Sequence, residues 1–235
     1  MSKKYLAITG ASRGIGLATA KLFLEKGFNA INLSRNPCPL ERVINFQVNL
    51  NDRTFEIELK AKLISELENA ERVILVHNAA RLEKDTVETI QASNLREILE
   101  VNIVAPTILN QILLPTMSKG SAILYVGSTL SEKAVPGAFS YVTSKHGVVG
   151  MMRATCQDLM DSGIHTACIC PGFTDTPMLR HHLNHDSTII EQIKKMNGQN
   201  RLIEPVEIAE VIYFAAMNPV MNGAVIHSNL GQKER

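Results

Sequence analysis

The chain has 235 residues, a formal net charge of +1, 45% hydrophobic and 20% charged residues. That length suits one large α/β domain, residues 1–235, and is short for two independent cores. The near-neutral balance leaves no electrostatic footprint for nucleic acid or a membrane surface, and no uninterrupted apolar run is long enough to span a bilayer.

Short apolar runs alternate with longer helical patterns along the chain. A strand is expected at 4–9, then a helix at 14–26 that stops at Gly27, then strands at 29–34 and 43–48. Residues 52–69 carry Phe55, Leu59, Leu63 and Leu67 at spacing four, one face of an amphipathic helix. A strand follows at 72–77. The stretch 95–117 reads as mostly helical, with Pro106 as a kink or local break. Then come a strand at 122–126, a helix at 139–161, a strand at 165–169, a helix at 205–217 with proline at its start, and a last strand at 224–227. Strands alternating with helices imply an α/β fold: a doubly wound parallel sheet of about seven strands, with helices on both faces. Residues 176–202 are the least regular part.

The four cysteines, Cys38, Cys156, Cys168 and Cys170, form no CxxC pair. Cys168 and Cys170 lie two apart and would share one face of a strand, so buried free thiols are expected, with no disulfide and no metal. The first nine residues lack the long apolar core of a secretory signal, and a cytoplasmic protein is expected.

The run Thr9-Gly10-Ala11-Ser12-Arg13-Gly14-Ile15-Gly16 closes the first strand and opens the first helix. Glycines there permit a tight turn and close approach of a pyrophosphate, and the helix N-terminus offers free N–H groups to it. The second strand ends in Ser34-Arg35, where an NAD site usually carries an acidic residue. With no carboxylate there, and with Arg13 and Arg35 able to reach one region, the reading is NADP(H), with NAD(H) disfavoured.

Tyr141 and Lys145 are four apart, on one helix face. A free tyrosine titrates near pH ~10 and is a poor base at neutrality, but a neighbouring ammonium favours the phenolate. Such a tyrosine can protonate an alkoxide in reduction or take the proton in oxidation. Ser128, just before that helix, can hold the carbonyl oxygen.

These residues, with Asn78-Ala79, Asn102, Pro171-Gly172 and Thr176 in the same order, resemble the short-chain dehydrogenase/reductase family. The resemblance is to its single-domain branch, similar to 3-oxoacyl-[acyl-carrier-protein] reductase-like oxidoreductases, and runs from Thr9 to about Gly231. It implies a Rossmann fold and a catalytic set of Asn102, Ser128, Tyr141 and Lys145, with Asn102 acting through a proton-relay water. It implies a cofactor site of Gly10, Ser12, Arg13, Gly14, Ile15 (through its backbone), Gly16, Ser34, Arg35, Asn49, Leu50, Asn78, Ala79 and Ala80. Tyr141, Lys145, Pro171, Gly172, Thr174 and Thr176 complete that site. Three places depart from the family pattern: His77-Asn78-Ala79-Ala80 for Asn-Asn-Ala-Gly, Asn49 for an Asp that bonds adenine, and the tail from His227 to Gly231.

The implied activity is hydride transfer between NADP(H) and a small carbonyl or alcohol substrate. The alternative is a non-catalytic NADP(H) sensor on the same fold, which would not need all four catalytic groups. A homotetramer or homodimer is expected, with Val148, Met152 and Cys156 forming an apolar contact stripe. Residues 176–202 are expected to form a substrate lid. The other reading of them is a permanently docked helix pair.

Overall fold

The computed structural model describes residues 3–232. Among these, strands β1 (Lys4–Thr9), β2 (Asn29–Ser34), β3 (Val43–Gln47), β4 (Arg72–His77), β5 (Ala122–Val126), β6 (His165–Pro171) and β7 (Ala224–Ser228) form one sheet in the order β3-β2-β1-β4-β5-β6-β7. Every pairing is parallel. The chain winds outward one way from β1 to β3, then returns to the middle at β4 and winds the other way. The reversal between β1 and β4 opens a crevice at the carboxyl ends of the strands, where open α/β sheets take their ligands.

A sheet covered on both faces needs strands that are apolar on both, and β5 and β6 are buried at every position. Helices α2 (Phe55–Leu67), α4 (Ala105–Leu113) and α5 (Phe139–Asp158) cover one face through Leu63, Leu67, Leu109, Ile112, Val148 and Met152. Helices α1 (Gly14–Glu25) and α8 (Pro205–Met217) cover the other through Ala20, Phe23, Ile208 and Ile212. The spacing-four set of α2 is buried as its pattern requires. So are the four free cysteines, with the sulfurs of Cys168 and Cys170 3.8 Å apart on one face of β6.

Two expectations are revised and one is made specific. The stretch 95–117 is helical with a local break, and the irregularity lies just before Pro106. A helix α3 (Ala92–Leu99) runs into a π-turn over Glu100–Val104, where the Ala105 N–H bonds the Glu100 carbonyl, before α4 begins. Pro106 has no N–H to return to the Asn102 carbonyl, which accounts for the irregularity directly before it. The combined segment Ala92–Thr116 is long and apolar enough to cross a bilayer by length and composition, but here it packs across the sheet.

The stripe of Val148, Met152 and Cys156 is not a subunit contact. Val148 and Met152 point into the chain's own core against the sheet, and Cys156 is buried with its sulfur 3.4 Å from Asn222 Oδ1, so the stripe offers no outward surface. Residues 176–202 are more regular than their composition suggests. They hold α6 (Pro177–His182) and α7 (Ser187–Lys194), whose Leu179, Leu183, Ile190 and Ile193 gather with Phe173, Met196 and Leu202 into a small cluster of their own.

A buried polar chain threads the α4–α5 side. His77 Nε2 and the Asn110 amide oxygen are 2.8 Å apart. The Asn110 amide donates to the Tyr125 hydroxyl at 2.8 Å, which is 3.1 Å from Thr155 Oγ1. His77 Nδ1 has no partner. Burial pulls His77 down from 6.5 to about 4, against a smaller opposing effect of the Asn110 bond. The unfolded chain therefore takes up this proton at higher pH than the folded one. Stability is full above pH 6.5 and falls as pH drops towards about 4. The whole interval is worth roughly 3 kcal/mol. In urea unfolding, His77→Gln should gain on the parent by about that amount between pH 7 and pH 4. A difference between the two that does not change with pH would contradict this.

Candidate active site

The turn from β1 into α1 is built at the switch point. Gly10 has φ +75° and donates its N–H to the Leu33 carbonyl, while the Ala11 N–H donates to the Asn32 side chain at 2.9 Å. Asn78, at the end of β4, ties the turn down from the other side. Its side-chain amide donates to the carbonyls of Thr9 (2.9 Å) and Gly10 (3.2 Å), and the backbone N–H groups of Asn78 and Ala79 donate to the Thr9 hydroxyl. The helix N-terminus presses against this turn. A Cβ on Gly16 would lie 2.2 Å from the Gly10 carbonyl oxygen, a distance no side chain survives. Arg13, the N-cap of α1, makes no side-chain cap bond, which leaves first-turn N–H groups to face a ligand.

A cavity of about 810 Å³ runs from this turn along the carboxyl ends of the strands. Gly10, Ser12, Arg13, Gly14, Ile15, Ser34, Arg35, Asn49, Leu50, Asn78, Ala79 and Ala80 line one end of the same cavity whose walls include Ser128, Tyr141, Lys145, Pro171, Gly172, Thr174 and Thr176. Of the expected site residues, Gly16 and Asn102 do not line it. Gly16 is buried behind Gly10, and Asn102 is turned into the protein. Among the described lining residues the carboxylate is Glu83, which is 3.0 Å from Arg81 Nε. Asn49 Oδ1 accepts the Asn51 N–H at 3.2 Å, which leaves a lone pair for a further donor.

Tyr141 and Lys145 lie in the first two turns of α5, with the Lys145 ammonium 5.6 Å from the Tyr141 ring centroid. Lys145 is buried and donates to the Val126 carbonyl at 2.7 Å, which fastens it to the end of β5. Ser128 caps a 3-10 turn (Thr129–Ser131), where its hydroxyl oxygen accepts the Leu130 N–H at 3.1 Å. Asn102 sits in the π-turn and spends its side chain on structure. Its oxygen accepts the Arg81 N–H (2.7 Å), and its amide donates to the Arg81 carbonyl (3.0 Å) and to Ser144 Oγ (2.9 Å). Ser144 Oγ in turn donates to the Tyr141 carbonyl at 2.8 Å.

A family profile described as short chain dehydrogenase matches residues 4–187. The chain belongs to that family. Protein FixR of Bradyrhizobium diazoefficiens is 32% identical across 97% of this chain and 86% of its own length. The 3-oxoacyl-[acyl-carrier-protein] reductase of Mus musculus is 28% identical across 95% of each chain. The ligand-free structure of Thermoplasma acidophilum aldohexose dehydrogenase superposes with a TM-score of 0.89 at 22% identity, over 98% of this chain and 94% of that one.

This short-chain dehydrogenase is thus an oxidoreductase that acts on CH–OH or C=O groups of small molecules with a nicotinamide cofactor. Its own residues fit such a group. The glycines of the first turn stand where a Cβ would collide or crowd: at Gly16 it would lie 2.2 Å from the Gly10 carbonyl oxygen, at Gly10 3.2 Å from the Asn78 amide nitrogen and at Gly14 3.1 Å from a Thr176 methyl, which keeps the turn tight enough for a pyrophosphate to approach. The rest of the dehydrogenase's cavity is lined by Leu130, Lys133 and Val135 from the 129–139 stretch, by Phe173, and by Met178, Leu179 and His182 from the 176–202 segment, the parts of the chain that the sequence points to for specificity. Nothing in the sequence pointed to Asp85, which lies outside the cavity lining and holds the start of α5.

Proposed function

We propose that this protein is an NADP(H)-dependent carbonyl reductase or alcohol dehydrogenase in which Tyr141 is the general acid/base. The observation that carries the reading is the convergence of Ser128, Tyr141 and Lys145 on the cavity that begins at the glycine turn. A bound nicotinamide would supply or accept the hydride. The rest falls to the chain. The Ser128 hydroxyl donates to the carbonyl oxygen and orients it. The Tyr141 hydroxyl gives its proton to the oxygen as the alcohol forms, and takes it back in oxidation. Lys145, held in place by the Val126 carbonyl, sets its ammonium 5.6 Å from the centre of the Tyr141 ring. Gly10, Ile15 and the N-terminus of α1 would hold the pyrophosphate.

Two arginines support NADP(H). Arg13 and Arg35 are exposed on the same cavity, at the end where an adenosine ribose would lie, and the lining carboxylate, Glu83, already has Arg81 as its partner. A guanidinium matches a 2′-phosphate, whereas ribose hydroxyls call for a carboxylate. The substrate end is walled by Leu130, Val135, Phe173, Met178, Leu179 and Met196, which suits a ketone or acyl body with substantial apolar surface. The mouse relative's name, an oxoacyl reductase, agrees in kind.

The helices α6 and α7 form the lid of this reading. Their stem is the single bridge Thr174↔Ile203, and α6 contributes Met178, Leu179 and His182 to the cavity. Closure there would exclude water from the reacting groups.

Turnover of ketones, 3-oxoacyl thioesters, quinones and sugars, followed by NADPH absorbance, tests the activity. At least one class should be reduced, with kcat/KM favouring NADPH over NADH and Arg35→Asp reversing or erasing that preference. Tight NADPH binding without turnover of any class would instead support the sensor, and equal use of NADH by the parent would remove the NADP assignment. Limited proteolysis tests the lid. Cleavage should fall within 176–202 in the free protein and slow with NADP and a substrate analogue. Equal protection in both states would make the pair a fixed element.

A further inference from the structure

We propose that Asp85 is a positioning residue for the reaction: it caps α5 from outside the helix and so sets the place of Tyr141 in the site. The inference rests on the reading of Tyr141 as the acid/base and concerns what holds that tyrosine still.

Helix α5 has no cap of its own. Its N-cap is Ala138, which has no side-chain acceptor, and no acidic residue lies in its first turn. The first N–H groups of a helix have no partner inside it and need one from elsewhere. Asp85, 55 positions upstream, supplies it. The Asp85 carboxylate accepts the Ser140 N–H at 2.9 Å through one oxygen and the Ser140 hydroxyl through the other. The Asp85 carbonyl accepts the Phe139 N–H at 3.2 Å, and the Asp85 N–H donates to the Gly137 carbonyl at 3.1 Å. One residue therefore meets the backbone at Gly137, Phe139 and Ser140, before and within the first turn, with a bridge between Asp85 and Ala138 among them. Tyr141 is the next residue along.

Asp85 is only 8% exposed. Burying a charge is costly unless it is hydrogen-bonded, and here the bonds and the positive end of the helix dipole meet that need together. The arrangement is also linked to the cofactor side. The segment Arg81–Asp85 is bound by Asn102 at Arg81 and by α5 at Asp85, and Arg81 lines the cavity beside Ala80. Asn102 reaches the other side of the same tyrosine through Ser144 and the Tyr141 carbonyl. Tyr141 is thus fixed from the two ends of one short strap that leaves β4. A shift of the first turn of α5 would carry the phenol with it but leave the glycine turn, which hangs on Asn78 and Thr9, where it is.

The test uses the full-length protein as Asp85→Ala, Asp85→Asn, Ser140→Ala and the parent, assayed well below their melting temperatures. Misplacing a reacting group by about 1 Å can cost on the order of 10²-fold in rate. Asp85→Ala should lower kcat by about that factor, with KM for NADPH within about threefold of the parent. Asp85→Asn, whose amide oxygen can still accept the Ser140 N–H, should recover roughly tenfold of the loss. Ser140→Ala, which keeps the backbone bond, should lose only a few-fold. Hydrogen exchange in the cofactor-free protein gives a readout that needs no activity. Amides at 139–145 should exchange faster in Asp85→Ala and near the parental rate in Asp85→Asn.

A kcat for Asp85→Ala within threefold of the parent would overturn the proposal. So would equal losses in the Asn and Ala variants, or a loss of turnover matched by an equal loss of NADPH affinity. Should Asp85→Ala not fold, the Asn and Ser140→Ala variants decide, and parental kcat and exchange in both would overturn it. A parent that turns over while Tyr141→Phe matches it would instead sink the reading of Tyr141, and the catalytic part of this proposal with it. A silent Asp85→Ala beside an inactive Tyr141→Phe would sink this proposal alone.

Discussion

A buried ammonium is tolerated only where its donors find acceptors, and Lys145 finds one at the Val126 carbonyl, at the carboxyl end of β5. That bond joins the helix carrying the reacting groups to the middle of the sheet, next to the switch point. Much of the site follows from it. With Lys145 held to β5, the first turns of α5 must cross the open end of the strands, so Tyr141 faces the cavity and Ser144 faces inward to Asn102. Just past β5 the chain runs hard against β6 at Gly127, where a Cβ would lie 2.8 Å from Cys168 Sγ and 2.9 Å from Cys170 Sγ. Ser128 follows directly and lines the cavity.

The cofactor end is anchored separately. Thr9 and Asn78 lock β1 to β4 where the strand order reverses, and the glycine turn is draped over the amide of Asn78. The two anchors share the sheet but no side chain. Binding and proton transfer can therefore be perturbed separately, and a shift of the first turn of α5 that spares Lys145 should affect rate before it affects cofactor affinity.

Most of the sheet was legible because parallel strands buried on both faces read as apolar runs, and five helical stretches announce themselves by pattern, by proline at the start or by glycine past the end. The site was legible where chemistry forces identity: glycines in the turn, the Tyr141–Lys145 spacing, Asn78. It was not legible where position depends on packing. The spacing of Val148, Met152 and Cys156 gives an apolar stripe but does not say whether the sheet or a second subunit covers it. The structure buries it within the chain, Val148 and Met152 on the sheet and Cys156 against Asn222. Asn102 was named from the family's pattern, yet its side-chain bonds to Arg81 and Ser144 depend on a π-turn that no periodicity reveals. Asp85 gave no signal because its partner is 55 positions away. The helices of 176–202 hide among histidines and asparagines, with Asn184 and His185 at positive φ joining them.

The central claim is that the Tyr141 hydroxyl moves the proton while the hydride comes from the cofactor. Its most direct measurement is reduction of a carbonyl substrate by NADPH in Tyr141→Phe, with NADPH affinity measured by fluorescence titration on the same sample. The account predicts a fall in kcat on the order of 10²–10⁴-fold with NADPH affinity retained. A kcat within a few-fold of the parent would show that another group carries the proton and would contradict it.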